Sequence, residues 1–269
     1  MSEIRFASVH DIPEMVNLAK SVHAGNRLAK LPFDGNKLAE QLISILDPPN
    51  SRYCFFVGEV PDAGISGGLL GYVTGCLFSE ALVTTNYVYF VNPEYRGSSL
   101  AIRLITAFRK WAQNRGTTLF CISQNAAIET QRFDKFMKKI GLKCTGGNFS
   151  KLITDKEKPT VSTLQRISGA IQNRSYNENC KIRFATVSDI PELIRIGNRI
   201  HSESSMARLA FSAEIFGTFI RNMLNEPVKG IYCVLIAENE SGITGLLTGY
   251  INEYLNFRRG EIFVTYCNY

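Results

Sequence analysis

Apolar residues recur every three or four positions in four segments of the first 153 residues, a spacing typical of helices with one buried face. The predicted helices begin at residue 12 and cover 36–46, 100–112 and 129–140. Short apolar runs bounded by glycine, proline and polar residues predict strands between them. These strands cover 5–9, 53–59, 69–78, 86–91, 118–122 and 148–153. The order β-α-α-β-β-β-α-β-α-β predicts an α+β fold.

Punctuating residues set the ends of these elements. Asp11 precedes the first helix and is predicted to be its N-cap, with Pro13 inside the first turn. The segment from Pro61 to Gly68 carries the turn residues of a hairpin between two strands. Gly141 is predicted to end the last helix of this region.

The opening segment returns later in the chain. Residues 4–14, IRFASVHDIPE, reappear at 182–192 as IRFATVSDIPE, an offset of 178. The same offset relates His23 to His201 and the pair Gly71-Tyr72 to Gly249-Tyr250. One register along the chain predicts a duplication. The predicted domains are a complete copy at 1–153, a linker with a short helix at 154–181, and a truncated copy at 182–269.

Composition places the chain among globular proteins, with 45% hydrophobic and 20% charged residues and a net charge of +6. Residues 1–153 hold 17 Lys and Arg against 12 Asp and Glu, which gives +5, so the excess lies in the first copy. No arginine run or recognisable nucleic-acid module accompanies it, and a small polyanion explains the charge as well as DNA does. We therefore rank nucleic-acid binding last.

Several other classes of function receive no support from the sequence. The seven cysteines are scattered without a CxxC pair, and the three histidines add no metal-ligand spacing, so neither a disulfide framework nor a metal site is expected. No run is apolar enough for a membrane span, and no secretory h-region follows Met1. A cytoplasmic protein with reduced thiols is the resulting expectation.

Residues 96–101 form the candidate binding segment, where a predicted strand ends, turns through small residues and opens into a helix. The first amides of a helix lack intrahelical partners and carry partial positive charge, so such a junction suits an anion. Arg96 adds a full charge, and Ser98 and Ser99 allow the backbone to approach a ligand. An ordinary serine cap explains the same residues equally well.

With these residues in place, the sequence resembles the GCN5-related N-acetyltransferase (GNAT) superfamily. The motif Val91-Asn92-Pro93-Glu94-Tyr95-Arg96-Gly97-Ser98-Ser99-Leu100-Ala101 is similar to the family's acetyl-CoA segment, with Ser99 in place of a usual glycine. Asn125, followed by a helix that ends at Gly141, resembles the second signature. The form Arg-Gly-x-x-x-Ala-x-Arg-Leu-Ile also resembles GNAT-type proteins of tailed bacteriophages, some carried as paired copies.

The resemblance implies a fold and a set of site residues. It implies a mixed, mostly antiparallel sheet flanked by helices, with a second, half-length repeat behind it. It implies acetyl-CoA on backbone amides and on the end of the central strand, and direct transfer to an amine. The implied cofactor-binding residues are Phe90, Val91, Arg96, Gly97, Ser98, Ser99, Leu100, Ala101 and Asn125.

Catalytic residues are harder to assign from the resemblance. The family's proton-donating tyrosine aligns with Met137, which has no proton to give, and its carboxylate base aligns near Thr85. Tyr87 and Tyr89 lie further along the same predicted face and are the candidate catalytic residues, although a tyrosine of ordinary pKa is a poor base at neutral pH. Glu80 is the nearest carboxylate, in a predicted hairpin.

Two functions remain open from the sequence. One is an acetyl-CoA-dependent N-acetyltransferase acting on a small-molecule or protein amine. The other is an inactive GNAT-fold binding or structural protein, in the cytoplasm or, if phage-encoded, in the virion. The truncated copy at 182–269 would leave an uncovered sheet edge, which predicts docking within the chain or a homodimer.

Overall fold

A computed structural model describes residues 2–25, 27–47, 52–123, 130–146, 180–225, 232–252 and 261–267. It divides the chain into two compact units. Of the described residues, unit 1 contains those from 2 to 143, and unit 2 contains those from 144 to 252 and from 261 to 267. The predicted strand at 148–153 and the predicted linker helix lie outside the described residues.

Unit 1 is a five-stranded sheet with helices on both faces. The strands are β1 Glu3–Phe6, β2 Tyr53–Val60, β3 Gly64–Gly75, β4 Leu82–Val91 and β5 Leu119–Phe120, in the order β1-β2-β3-β4-β5. The first three pairings are antiparallel, and β4 with β5 is parallel. The helices are α1 Ile12–Ala24, α2 Gly35–Leu46, α3 Leu100–Gln113 and α4 Thr130–Lys139. The GNAT-like α+β prediction for this unit is confirmed.

Each face of the sheet has its own core. On one face, side chains of β2 and β3 pack against α1 and α2, with Val57 and Leu70 almost fully buried. On the other face, Leu69 meets the apolar stripe of α3, whose Leu104 and Phe108 are completely buried. The predicted 3.6-residue stripes therefore identified the buried face of α3 correctly, and the sheet is the middle layer of the unit.

The predicted hairpin turn is too long, because the glycines from Gly64 onward belong to a strand. The turn occupies only residues 61–63, with positive φ at Asp62 and Gly64. Gly67 and Gly68 lie inside β3, where a Cβ would lie 3.1 Å from Leu104 and 2.7 Å from Phe90, respectively. Close packing on both faces of the sheet requires glycine at these two positions. A glycine-rich composition is also typical of turns, so the sequence predicted a turn here.

Asp11 occupies the predicted N-cap position of α1, but its side chain makes no capping hydrogen bond to that helix. Its carboxylate accepts hydrogen bonds from the backbone N–H and the hydroxyl of Ser8, at 2.7 and 3.0 Å. Its two oxygens also accept 2.8 Å bonds from the guanidinium of Arg5, which pairs with Glu59 as well. The ion pair connects β1 to the short 3₁₀ turn Val9–Asp11 before α1. The carboxylate of Asp11 therefore links the strand to this turn instead of accepting from the first amides of the helix.

This ion pair predicts a loss of stability in acid. The Arg5 guanidinium lowers the pKa of Asp11 from 3.8 to about 2, and the Asp11 side chain is only 11% exposed. Because the folded-state pKa is lowered, the contribution is present above pH 4 and disappears as the pH falls towards 2. We expect unit 1 to lose about 2 kcal/mol of unfolding free energy over that range, and less in Asp11→Asn.

The measurement is urea unfolding at several pH values, followed by the fluorescence of Trp111, the single tryptophan. Asp134→Asn is the matched control, because Asp134 pairs with Lys138 on an exposed helix surface, where ion pairs contribute little. Parallel pH profiles for wild type and Asp11→Asn would contradict the assignment.

Unit 2 contains a four-stranded antiparallel sheet and two helices. The elements are β6 Lys181–Phe184, α5 Ile190–Glu203, α6 Ala213–Asn225, β7 Tyr232–Asn239, β8 Gly242–Asn252 and β9 Glu261–Cys267. The strand order is β6-β7-β8-β9. This order of elements is the same as that from β1 to β4 in unit 1.

Irregular features recur between the units. Ser66 and Thr244 are extra residues in the second ladder of each sheet, and Tyr87 and Thr265 are extra residues in the third ladder. Within each of these two pairs, the residues are 178 positions apart. The single register nevertheless breaks at β7, where Tyr232 stands opposite Tyr250 as Tyr53 stands opposite Tyr72. The offset between Tyr53 and Tyr232 is 179. The turn after β7 is one residue shorter than the turn after β2, so the offset returns to 178 in β8.

Candidate functional site

The central strand β4 contains a bulge at Tyr87. Gly71 pairs with Asn86 and Leu70 with Val88, so Tyr87 is the extra residue of the bulge. Tyr87 and Val88 both pack towards the α1–α2 core, whereas Tyr89 packs into the core under α3. The bulge shifts the alternation of the strand, so the prediction that Tyr87 and Tyr89 share a face is wrong.

Tyr89 is a packing residue in this arrangement. Its hydroxyl donates to the carbonyl of Ala101 at 3.3 Å, and its ring lies 6.3 Å from that of Phe133. Burial raises the pKa of Tyr89 above its ordinary value of 10, which keeps the phenol protonated at neutral pH. The residue fastens the first turn of α3 to the sheet, and Tyr87 is the candidate catalytic tyrosine that remains.

Asn86 marks the place where β4 and β5 stop pairing. Up to that point the backbone bonds are regular, ending with the N–H of Cys121 on the carbonyl of Thr84 at 2.8 Å. The buried side chain of Asn86 then spans the gap: it donates to the Ser123 carbonyl at 3.0 Å and accepts from the Ser123 N–H at 2.7 Å. Beyond Phe120 the backbone that follows β5 is thus separated from β4 by the width of an amide side chain.

The segment that follows β4 presents a row of backbone amides. Three of these amides are occupied, because Arg96 donates to Pro93, Ser98 to Tyr95, and Leu100 to the hydroxyl of Ser98. The N–H groups of Gly97, Ser99 and Ala101 make no hydrogen bond to any residue within the described ranges. Alternate amides of the predicted anion-binding segment are thus available as donors.

The two serines of this segment have different roles. Ser98 provides the local cap: its hydroxyl donates to Tyr95 at 2.7 Å and accepts from Leu100 at 3.2 Å. Ser99 occupies the N-cap position of α3, but its side chain makes no capping bond and is exposed. The serine-cap interpretation therefore applies to Ser98 alone.

Positive charge surrounds the same segment. Gly97 has a φ of +91°, and a Cβ built on it would lie 3.7 Å from the guanidinium of Arg132 on α4. Arg96 donates from Nε to the carbonyl of Val91 at 3.3 Å, which holds its guanidinium beside the strand end. Three available amides between two guanidiniums fit a diphosphate, which needs several donors and compensating charge.

The remaining predicted cofactor residues can contribute backbone atoms only. The side chain of Leu100 is 1% exposed in the core, and that of Val91 packs against the same cluster. Phe90 turns to the opposite face, with its ring against Gly68. Asn125 lies outside the described residues.

Neither Met137 nor the cysteines Cys54 and Cys121 can replace the proton-donating tyrosine that the resemblance implied. Met137 is 7% exposed in the α3–α4 core and has no ionisable proton. Burial raises the pKa of Cys54 to about 12 and also raises that of Cys121, so neither thiol is a nucleophile at neutral pH. The geometry therefore supports binding and orientation more strongly than proton transfer.

One stretch of the sequence matches a protein family. It contains the anion-binding segment, the bulge at Tyr87 and the place where β4 and β5 diverge. Residues 22–133 match the acetyltransferase (GNAT) family. The match begins in α1 and ends in α4, so it contains the bulge at Tyr87, the anion-binding segment and Arg132. The matched stretch lies wholly within unit 1 and covers 112 of the 269 residues of the chain.

Three solved structures of acetyltransferases are similar to part of this chain. An acetyltransferase from Trypanosoma brucei is 16% identical, with 56% of this chain and 99% of that chain covered and a TM-score of 0.44. An aminoglycoside acetyltransferase from an uncultured soil metagenomic sample is 18% identical, at 56% and 96% coverage and 0.44. Glucosamine-6-phosphate N-acetyltransferase from Arabidopsis thaliana is 10% identical, at 57% and 99% coverage and 0.46. Likenesses at this level imply no substrate. No curated protein matches the chain.

Other classes of site can be addressed for the part of the chain that the structure describes. No group of three or more His, Cys, Asp or Glu side chains is placed to hold a metal ion there. None of the described helices combines the length and apolar character needed to cross a bilayer.

Sequence reasoning missed four residues of this region. Asn86 is one of many asparagines, Arg132 lies on the polar side of a helix pattern, and Tyr53 and Tyr72 read as ordinary strand residues. Their roles depend on which strand or loop stands opposite them. Only the adjacency of Asn86 and Tyr87 to the predicted strand end could have drawn attention beforehand.

Proposed function

We propose that unit 1 binds acetyl-CoA and transfers its acetyl group to an amine. The observation that carries the proposal is the row of available amides at Gly97, Ser99 and Ala101 between the guanidiniums of Arg96 and Arg132. The family match over residues 22–133 supports the same activity. The diphosphate of the cofactor would accept from these amides, and its pantetheine arm would follow the diverging edge of β4.

Acetyl-CoA supplies a thioester whose carbonyl carbon is open to attack by an amine. Asn86 bonds to Ser123, beyond the end of β5, and the acyl chain would lie beside the bulge in the gap that this side chain spans. The bulge at Tyr87 interrupts the β3–β4 ladder beside the place proposed for the reacting carbonyl. The thiolate would leave without a tyrosine acid, because a thiol of pKa 8–9 is a tolerable leaving group at neutral pH.

For unit 2 we propose a duplicated, non-catalytic copy of the first half of unit 1. The repeated bulges and the repeated ion pair of Arg183 with Asp189 at 2.8 Å support common ancestry. The described residues of unit 2 include no counterpart of α3 or of the anion-binding segment. Docking of 182–269 on unit 1 or on a second chain remains part of this proposal, as do a cytoplasmic location and a phage origin.

A thermal-shift titration with acetyl-CoA tests the proposed activity. A ligand at about one hundred times its dissociation constant adds about 2.7 kcal/mol of stability to the protein that binds it. Ser99→Glu is expected to abolish the gain, because it places a carboxylate among the amides that would hold the diphosphate. Thr106→Glu is the matched control: it adds the same charge to an exposed position of the same helix.

The alternative is an inactive binding or structural protein, which the buried Met137 favours. Acetyl-CoA binding without transfer to any amine would support that alternative. The absence of any shift at millimolar acetyl-CoA would reject the transferase.

A further inference from the structure

Three tyrosines form a continuous aromatic surface beside the bulge. The rings of Tyr72 and Tyr87 are stacked, with centroids 4.3 Å apart and planes 26° apart. Tyr53 lies beside both, at 6.3 Å and 21° from Tyr87 and at 6.2 Å from Tyr72. All three side chains are half-buried, so each ring keeps part of its surface open. We call this set the tyrosine wall.

Strand pairing and alternation bring the three rings together. Tyr53 and Tyr72 are direct cross-strand partners on β2 and β3, and Tyr72 stands opposite Thr85 of β4. Tyr87 lies two residues after Thr85, on the same face, and its ring stacks on that of Tyr72. In unit 2 the first two positions are Tyr232 and Tyr250, but the bulge residue is Thr265. The third ring is therefore a property of unit 1, where the candidate site lies.

The wall begins at the residue where acyl transfer is proposed and extends away from the anion-binding segment. An acceptor that brings its amine to Tyr87 from the α1–α2 face must pass along it. A flat ring would find there a surface on which to stack.

We propose that the tyrosine wall selects acceptors in which a short linker joins the primary amine to a planar aromatic group. The inference rests on the proposed function for the transfer step, but the recognition of the ring can be measured without it. Stacking adds to the gain from apolar area, so the preference must exceed that given by a saturated ring of similar size.

The first experiment measures binding to the full chain by ligand-detected NMR, with no cofactor. The probes are 2-phenylethylamine and 2-cyclohexylethylamine, which share the amine and the linker and differ in the π system. We expect the aromatic amine to bind about tenfold more tightly to the wild type. Spermidine, as a polycationic probe, is expected to bind more weakly than either. Equal binding of the two ring amines, or a preference for spermidine, would overturn the proposal.

Variants locate the effect. Tyr72→Leu is expected to remove the preference for the aromatic amine while it keeps the binding of the cyclohexyl amine within about twofold. Tyr232→Leu is the matched control, since it makes the same change at the Tyr53 position of unit 2, and it must leave the preference intact. Should Tyr72→Leu fail to fold, Tyr53→Leu serves, because Tyr53 begins its strand and is half-buried.

Transfer assays separate this inference from the proposed function. With acetyl-CoA present, the same preference should appear in kcat/KM, measured by chromatography of the acetylated product. Aromatic binding without an acetyl-CoA thermal shift would reject the transferase and leave the aromatic site standing. Acetyl transfer to both ring amines at equal kcat/KM would support the transferase and reject the tyrosine wall as a selector.

Discussion

Replacing Gly71 with alanine is expected to destabilise unit 1 by about 3 kcal/mol or more. Gly71 is buried at the centre of β3, and a Cβ there would overlap the ring of Phe108 on α3. Phe108 has no exposed surface and stacks on Trp111 with centroids 5.9 Å apart, so its ring cannot move aside without disturbing the core. A shift of this ring would lift α3, and with it the anion-binding segment, away from the sheet.

Urea unfolding followed by Trp111 fluorescence measures this effect directly, because the only tryptophan of the chain lies against Phe108. Gly75→Ala is the control: it makes the same change four residues later in β3, where a Cβ would meet nothing within 4 Å. It is expected to be neutral or slightly stabilising. Equal midpoints for the two variants would show that the helix does not pack on the sheet as described.

Replacing Asn86 with leucine is expected to cost about 2–4 kcal/mol of unfolding free energy, because it leaves both the N–H and the carbonyl of Ser123 without a partner. The variant should also abolish the stabilisation by acetyl-CoA, because the side chain of Asn86 keeps the backbone that follows β5 apart from β4. Chemical unfolding with and without acetyl-CoA provides both readings.

Two comparisons make the Asn86 result specific. Thr85→Val changes the neighbouring residue, on the other face of β4, and is expected to keep acetyl-CoA binding. Asn86→Asp retains the acceptor for the Ser123 N–H and loses the donor, so its stability should lie between those of wild type and Asn86→Leu. A leucine variant with undiminished stability and a full acetyl-CoA shift would show that the side chain does not hold the strands apart.

Local patterns were sufficient for most of the architecture of unit 1. Helical spacing of apolar residues located α2, α3 and α4, and the stripe on α3 named the residues that are buried, because a helix can bury only one face against a sheet. The glycine-rich start of β3 was misplaced for a related reason. Packing from both sides requires the same small residue that a turn requires, and composition does not distinguish the two causes.

The candidate site shows the same division. The sequence by itself determined that a strand ends near Val91, that Arg96 and small residues follow, and that a helix begins at Leu100. The tertiary structure decided which amides are available, that Arg132 stands beside Gly97, and that Tyr87 and Tyr89 belong to different faces. A bulge and a cross-strand contact depend on the register between segments distant in the chain, and a sequence pattern records only the preferences of one segment at a time.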